Sequence, residues 1–393
     1  MTTSLPTART ADRPFDPPEG LAPLREERPL SRLDYPDGHQ GWLATSHELV
    51  RQVLGDTRFS ARNELQHLPI PGAGNSDQPS PPGQFPTMDA PDHTRYRRLL
   101  TGLFTVRRMR LLTEEVQAVT DQHLDEMEWG GGPVDLVAAL AQPVPAQVMC
   151  EVLGVPYQDR ARFLEQALAL FRLDTTPQEK AAAYSAVHDY VAALIAVKRS
   201  DPTDDMLSEL TGSDLTDEEL ANIGFVLLGA GLDTTANMIG LGAFALLRHP
   251  RQLARLREEP GIADQAVEEL LRYLSIVPFT VRTALEDVDL EGWQIKAGET
   301  VTVSIPAANH DPARFADPDI LDLARRTGGH VAFGHGVHQC LGQQLARVEM
   351  RVALPALMTR FPTLRLAVPA ADVPLRTDML IYGVHQLPVA WEA

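Results

Sequence analysis

From Ala221 to Arg248 the chain is apolar almost without a break, framed by Thr216-Asp-Glu-Glu219 before it and Pro250 after it. A Thr followed three residues later by Glu satisfies the free N–H groups of a first helical turn reciprocally, and proline cannot continue a helix. The frame therefore predicts one long helix, and an apolar helix of that length belongs inside the fold. Shorter periodic stretches predict helices over Asp264 to Leu274, where Val267, Leu270, Leu271 and Leu274 recur, from His93 after Asp89-Ala-Pro-Asp92, and from Leu341 onward. Small sheets are expected near residues 40–50, 280–305 and 380–391. Residues 66–88 are rich in Pro and Gly without helical pattern, which predicts a surface loop. The class is mainly α.

The first forty residues hold seven prolines and no span of about 20 apolar residues, so 1–40 is expected as a Pro-rich N-terminal segment without secretion signal or membrane anchor. Residues 41–393 are expected to form a single domain, since neither an internal repeat nor an interior linker interrupts them. A formal net charge of −18 over 393 residues excludes nucleic acid as a partner unless a strong local basic patch exists. Two cysteines, Cys150 and Cys340, exclude a disulfide framework and point to a reducing, cytoplasmic setting. Cys150 lies in the apolar run from Val144 to Leu153 and reads as core.

Cys340 sits differently, in Phe333-Gly334-His335-Gly336-Val337-His338-Gln339-Cys340-Leu341-Gly342. Gly334 and Gly336 let the backbone fold tightly against a flat ligand, and the helical pattern after Cys340 puts the sulfur at a helix N-terminus. There, free N–H groups and the positive dipole end favour an anionic sulfur and lower its pKa. A lone cysteine is more often a small buried apolar residue. At about 7% average usage, three glycines at fixed offsets arise by chance at roughly three in ten thousand positions, so spacing favours the ligand reading.

The loop resembles the haem-binding signature of the cytochromes P450, Phe-Gly-x-Gly-x-His-x-Cys-x-Gly, at every fixed position, and the resemblance runs from about Trp42 to Trp391. It implies the cytochrome P450 fold, with haem b (iron protoporphyrin IX) between the long helix and the helix after Cys340. Cys340 is then the axial iron ligand, and Phe333, Gly334, His338 and Gly342 shape its loop. The segments 93–97, 230–234, 269–282 and 338–340 must meet at that haem, so most of the chain forms one body.

In the long helix, Ala230-Gly231-Leu-Asp233-Thr234-Thr235 combines two small residues, a carboxylate and two hydroxyls. On their own, the hydroxyls bond back to the preceding turn and Asp233 pairs with an arginine as readily as they act together. The resemblance implies an acid-alcohol pair, Asp233 and Thr234, that delivers protons, with Ala230 and Gly231 forming the dioxygen groove. Glu269 and Arg272 lie one turn apart on an apolar helix, which suggests a buried pair. The family adds Arg325 as third member in support of the haem loop. His93, Arg97, Arg282 and His338 match the family's donors to the two haem propionates. His310 stands where the family usually has arginine and reads as packing or surface, and Ala90 replaces a frequent proline.

Phe225, Leu228, Val277, Pro278, Phe279 and Thr280, with the 66–88 loop, which the resemblance makes a mobile substrate lid, are expected to shape the substrate pocket. Arg95, Arg97, Arg98, Arg107, Arg108 and Arg110 follow one another with no Asp or Glu between them. A solvated helix face is the common meaning of such a run. The resemblance makes it the docking face for an acidic ferredoxin, joined by Arg347 and Arg351, with electrons from NAD(P)H through a reductase. The expected activity is monooxygenation, by hydroxylation or epoxidation, of a bulky, largely apolar small molecule by a monomeric enzyme. High Ala, Arg and Pro content is similar to actinobacterial members acting in polyketide- or macrolide-like secondary metabolism. The rival readings are a peroxide-driven peroxygenase, which needs no acid-alcohol pair, and a non-enzymatic haem-thiolate sensor or carrier, which needs neither relay nor docking face.

Overall fold

The computed structural model describes residues 4–71, 75–103 and 106–392, with the side chains at 106, 107, 157, 160–164, 167 and 260 outside that description. The long helix spans Asp217–Arg248, and both capping-box hydrogen bonds form: Glu219 N–H donates to Thr216 Oγ1 at 3.2 Å and Thr216 N–H to Glu219 Oε2 at 2.7 Å. By length and composition it could cross a membrane, yet its apolar positions are mostly inside protein. Its two halves enter different cores. Leu220 to Leu232 pack with Met149 to Leu153 and with Val187 to Ile195, whereas Met238 to Leu246 pack with Leu136 to Val144, Leu270 to Leu274 and Met350 to Met358. Where the two cores meet, Ala230, Gly231, Thr234 and Thr235 face a cavity.

Helices form where periodicity places them: Asp92–Thr101, Ala263–Leu274, hereafter the charge-pair helix, and Gln343–Arg360, hereafter the ligand helix. The main sheet has the order Leu30–Asp34, Gln40–Ala44, Thr300–Ser304, Phe279–Ala284, Phe59–Ser60, and Pro388–Ala390 joins a second sheet with Val134–Asp135 and Arg365–Leu366. All three predicted strand regions therefore carry strand. The fold is helix-rich with small sheets, as read from the sequence.

The described residues add detail to two expectations. The stretch 1–40 does not stand apart in its described part: Leu30–Asp34 pairs with Gln40–Ala44, and the Phe15 ring meets Phe244 edge-on at 5.0 Å in the main core. Arg9, buried over the Tyr382 ring, donates to the Leu274 and Ser275 carbonyls at 3.2 Å each. These contacts cross from the N-terminal stretch to elements more than 200 residues away, which composition alone could not reveal. The 66–88 loop, of which 72–74 lie outside the described residues, is tied down at its far end. Asn222 Nδ2 donates to Pro82 O at 2.8 Å, Gln84 Nε2 to Tyr184 Oη at 2.9 Å, and Tyr184 Oη to Asn222 Oδ1 at 2.9 Å. Gly83 holds φ +92°, and a Cβ there would collide with the Glu219 carbonyl, so this end of the loop lies directly on the long helix.

Candidate active site

A short path of contacts fixes the cysteine loop. Glu269 and Arg272 are fully buried and bonded twice, at 2.8 and 2.9 Å, while Arg272 NH1 also donates to Asn309 O at 2.8 Å and Pro318 O at 2.9 Å. Arg325 Nε completes the set on Glu269 at 3.1 Å, and Arg325 NH2 donates to the carbonyls of Asp317 and Ile320 at 3.0 Å each. Asn309 Oδ1 in turn accepts the Val331 N–H at 2.8 Å, where the loop begins. A carboxylate shared by two guanidiniums, with their remaining donors on carbonyls, is how buried charge remains tolerable. The predicted triad is thus assembled at the foot of the loop.

Gly334 and Gly336 take φ +72° and +75°, and a side chain at Gly336 would meet the Leu54 carbonyl. Cys340 N–H donates to Phe333 O at 2.8 Å, closing the loop. Cys340 is exposed and lines the cavity, while the surrounding protein still desolvates its sulfur. Burial pushes the Cys340 thiol up, while the Gly342 and Gln343 N–H groups and the charges of Arg97 and Arg347 pull it down without overcoming burial. The sequence reading expected a lowered value; in the fold, desolvation outweighs the helix end. A coordinated metal ion deprotonates such a thiol outright, so this desolvated sulfur with amides aimed at it fits an iron ligand.

The cavity, about 400 Å³, is lined on the same side by His93, Arg97, Arg282 and His338. The imidazoles of His93 and His338 lie 4.0 Å apart. Burial, with the nearby Arg282, His93 and Arg97, holds His338 down to about 3, and burial with Arg97 holds His93 at about 4. Burial also lowers Arg282 to about 10, with the Asp89 charge opposing. His338 Nδ1 is buried without a hydrogen-bond partner. Two arginines and two imidazoles that depress one another, with one orphaned nitrogen among them, form a site built for anions. Two propionates fit it, and the cysteine, the loop and this cluster together fit haem.

The opposite wall comes from the long helix. Val226, Leu227, Ala230, Gly231, Thr234 and Thr235 line the cavity at helical spacing. Phe225 and Leu228 do not: Phe225 packs on the Tyr184 ring at 4.7 Å and Leu228 is buried in a core. Val277 and Thr280 reach the cavity, but Pro278 and Phe279 do not, and Phe279 is buried with Leu33, Leu43 and Val281. Strand alternation explains this, since Thr280 and Arg282 share one face of Phe279–Ala284 and Phe279 and Val281 the other. A side chain on Gly231 would press on Met149, 2.6 Å from its sulfur.

Thr234 Oγ1 donates to Ala230 O at 2.7 Å, bonding back along its helix. Asp233 departs from expectation: it is absent from the lining and forms a bidentate pair with Arg376, at 2.7 and 3.1 Å, both side chains buried. Helix phase turns 233 away from 234, and Arg376 lay 143 residues off with no signal to find it. Sequence reading also missed Glu349, a buried carboxyl that lines the cavity beside Thr235, has one oxygen without a partner, and is pushed up to about 8 by burial.

The arginine run divides. Arg97 turns to the cavity, Arg95 binds Glu219 at 2.5 Å and Asp214 at 3.3 Å, and Arg108 binds Glu209 at 3.0 Å. Arg347 is held by Glu268 at 2.5 Å and Arg351 by Asp264 at 2.8 Å. Arg98 and Arg110 are exposed with no ion pair among the described residues, and the Arg107 side chain lies outside them. His310 is buried between Asp319 and the Tyr273 carbonyl, both at 2.9 Å, in a packing role.

Comparison with known proteins agrees with this site. The Cytochrome P450 family profile matches residues 178–379. The chain is 49% identical over 380 residues to Cytochrome P450 105C1 of Streptomyces sp, covering 96% of each, and 44% identical over 395 residues to the pentalenic acid synthase of Streptomyces avermitilis, covering 99% and 98%. The crystal structure of CYP105P1 in complex with filipin I aligns with a TM-score of 0.95 at 42% identity, over 100% of this chain and 99% of that one. The chain belongs to the cytochrome P450 family, whose cofactor is haem. It is a monooxygenase of that family, and the two curated relatives named above come from Streptomyces.

Proposed function

We propose that Cys340 ligates haem iron and that the enzyme inserts one oxygen atom, by hydroxylation or epoxidation, into a bulky, largely apolar molecule of secondary metabolism. The observation that carries this reading is one cavity with the Cys340 sulfur and the His93, Arg97, Arg282 and His338 cluster on one side and the small-residue stretch of the long helix on the other. Bound haem supplies dioxygen activation and oxygen-atom transfer. The chain supplies the rest. Cys340 holds the iron, the cation cluster orients the propionates, and Ala230 and Gly231 leave room against the helix backbone. Thr234 holds a proton at Oγ1 and is the alcohol of the relay; Asp233 serves as its acid when Arg376 releases it.

The substrate class follows from what the distal lining lacks. Among the described residues, the lining from Phe85, Pro86, Val226, Leu227, Ile276 and Val277 carries no charge, so a charged substrate would be desolvated without a partner. Relatives named for pentalenic acid and solved with filipin I support an organic small molecule from secondary metabolism. Electrons from NAD(P)H through a reductase and an acidic ferredoxin, a monomeric state and a cytoplasmic setting complete the reading.

Titration of purified ferric enzyme with macrolides, terpenoids, peptides and fatty acids tests it. A saturable low-to-high-spin shift of the Soret band is expected with a neutral apolar class. A shift confined to charged ligands would sink the substrate assignment.

A further inference from the structure

Glu268 stands beside Glu269 in sequence but faces another way, into a cluster that neither oxygen nor substrate chemistry uses. Its carboxylate accepts from Arg347 Nε at 2.5 Å and Arg347 NH2 at 3.1 Å, and from His330 Nε2 at 2.9 Å. His330 Nδ1 accepts the Ala332 N–H at 3.2 Å, which leaves Nε2 to face the Glu268 carboxylate. Within the trio, Glu268 is the carboxylate that faces the Arg347 charge, through two hydrogen bonds. Burial works against its ionisation, but hydrogen bonds from His330 and Arg347 and the electrostatic pull of both side chains hold it at about 2.

Arg347 is close enough to matter at the iron ligand. It rises from the first turns of the ligand helix, and its guanidinium lies over the Phe333 ring, 4.6 Å from the centroid. Phe333 lines the cavity and its carbonyl accepts the Cys340 N–H. The Arg347 charge is among those that pull the Cys340 thiol down. Glu268 thus gathers the charge-pair helix, the start of the cysteine loop at His330 and the ligand helix at one carboxylate. A cation near a partly buried redox centre favours the state with one more electron, and a paired anion cancels that preference.

We propose that Glu268 is a positioning residue that sets the reduction potential of the haem iron, by orienting Arg347 against Phe333 and offsetting its charge beside Cys340. The inference rests on Cys340 being the iron ligand. It separates this arginine from the docking role expected of it, because a guanidinium already shared with a carboxylate and a ring has little left to offer a partner protein.

Spectroelectrochemical titration of substrate-free holoenzyme tests it through the signs of the shifts. Glu268→Gln leaves Arg347 uncompensated and should move the potential positive; Arg347→Gln leaves Glu268 uncompensated and should move it negative. The double variant should return close to the parent, and Glu268→Asp, which keeps the charge, should stay there. Arg351→Gln is the control: it removes an equal charge one turn along the same helix, from a pair with Asp264 whose partners are 39% and 77% exposed, and should shift the potential least. Shifts of the same sign in the first two variants would reveal a merely structural role and overturn the proposal, as would an Arg351→Gln shift as large as theirs. Should Glu268→Gln fail to retain haem, a parent-like potential in Arg347→Gln overturns it equally. A parent without a thiolate-type carbon monoxide spectrum would overturn the Cys340 reading itself, an outcome distinct from the others.

Discussion

On the Cys340 side of the cavity, the loop is closed by its own backbone: Cys340 N–H meets Phe333 O, and Gly334 N–H meets Val331 O at 2.9 Å. On the long-helix side, the polar residue beside the cavity takes its partner from far along the chain, Asp233 from Arg376. The contrast has a physical origin. A loop that must hold one sulfur against one metal needs left-handed glycines and local closure, so its requirements are written at fixed offsets. A helix wall that must admit a substrate, exclude water and hand over protons uses ordinary helical residues. Their roles depend on phase and on whichever element lies behind them. Rigidity belongs to the first side and adjustability to the second, as expected where chemistry needs one fixed and one yielding wall.

The largest expected effect falls on the local side. Cys340→Ser replaces the thiolate with a hydroxyl in a desolvated site where amides aim at an anion. We expect complete loss of the thiolate-type carbon monoxide spectrum and of oxygenase turnover, while the fold persists because the loop's closing hydrogen bond uses Cys340 backbone, not its sulfur. Survival of that spectrum would erase the distinction between the two sides.

An intermediate effect is expected where the sides touch, at Glu349 on the ligand helix beside Thr235 of the long helix. Burial raises this carboxyl from 4.5 to about 8, so the folded protein keeps a proton that the unfolded chain releases. Between those values the folded state binds more protons, and stability falls as pH rises, by roughly 3 kcal/mol on reaching neutrality. Glu349→Gln keeps the shape and removes the titration. Thermal unfolding of the holoenzyme should show the variant level with the parent near pH 5 and more stable near pH 8. Equal differences at both pH values would mean that the carboxyl is already ionised in the fold.

The same contrast explains how far the sequence could be read. The long helix, the charge-pair helix and the cysteine loop were legible because capping boxes, apolar periodicity and glycine offsets are local. Glu269 with Arg272 was legible as a buried pair on an apolar helix, whereas Arg325 and the His93, Arg97, Arg282 and His338 set were legible only through family resemblance; the structure brings each set together. The pocket was half legible: Val277 and Thr280 line it, whereas Phe225, Leu228, Pro278 and Phe279 fall on the wrong side of a helix or strand. Apolar character does not distinguish lining from core; phase does, and a step of one residue, about 100° on a helix, decides it. Arg376, Glu349 and Glu268 were invisible because long-range pairing leaves no periodic trace.

The smallest effect concerns the outer surface, where the arginine run looked uniform and is not. Arg95 and Arg108 already serve Glu219, Asp214 and Glu209, so reversing either would disturb internal contacts. Arg98 and Arg110 are exposed and hold no ion pair among the described residues, which leaves their charge available to an acidic partner. Arg98→Glu with Arg110→Glu should slow reduction by an acidic ferredoxin several-fold at low salt, with the gap closing as added salt screens the encounter. Stability should change by no more than about 0.5 kcal/mol, as for surface substitutions elsewhere. Stopped-flow reduction across a salt series separates the possibilities. A salt-independent loss would point to damaged structure, an unchanged rate would remove this face from the electron path, and a converging pair of curves would assign the two free arginines to steering.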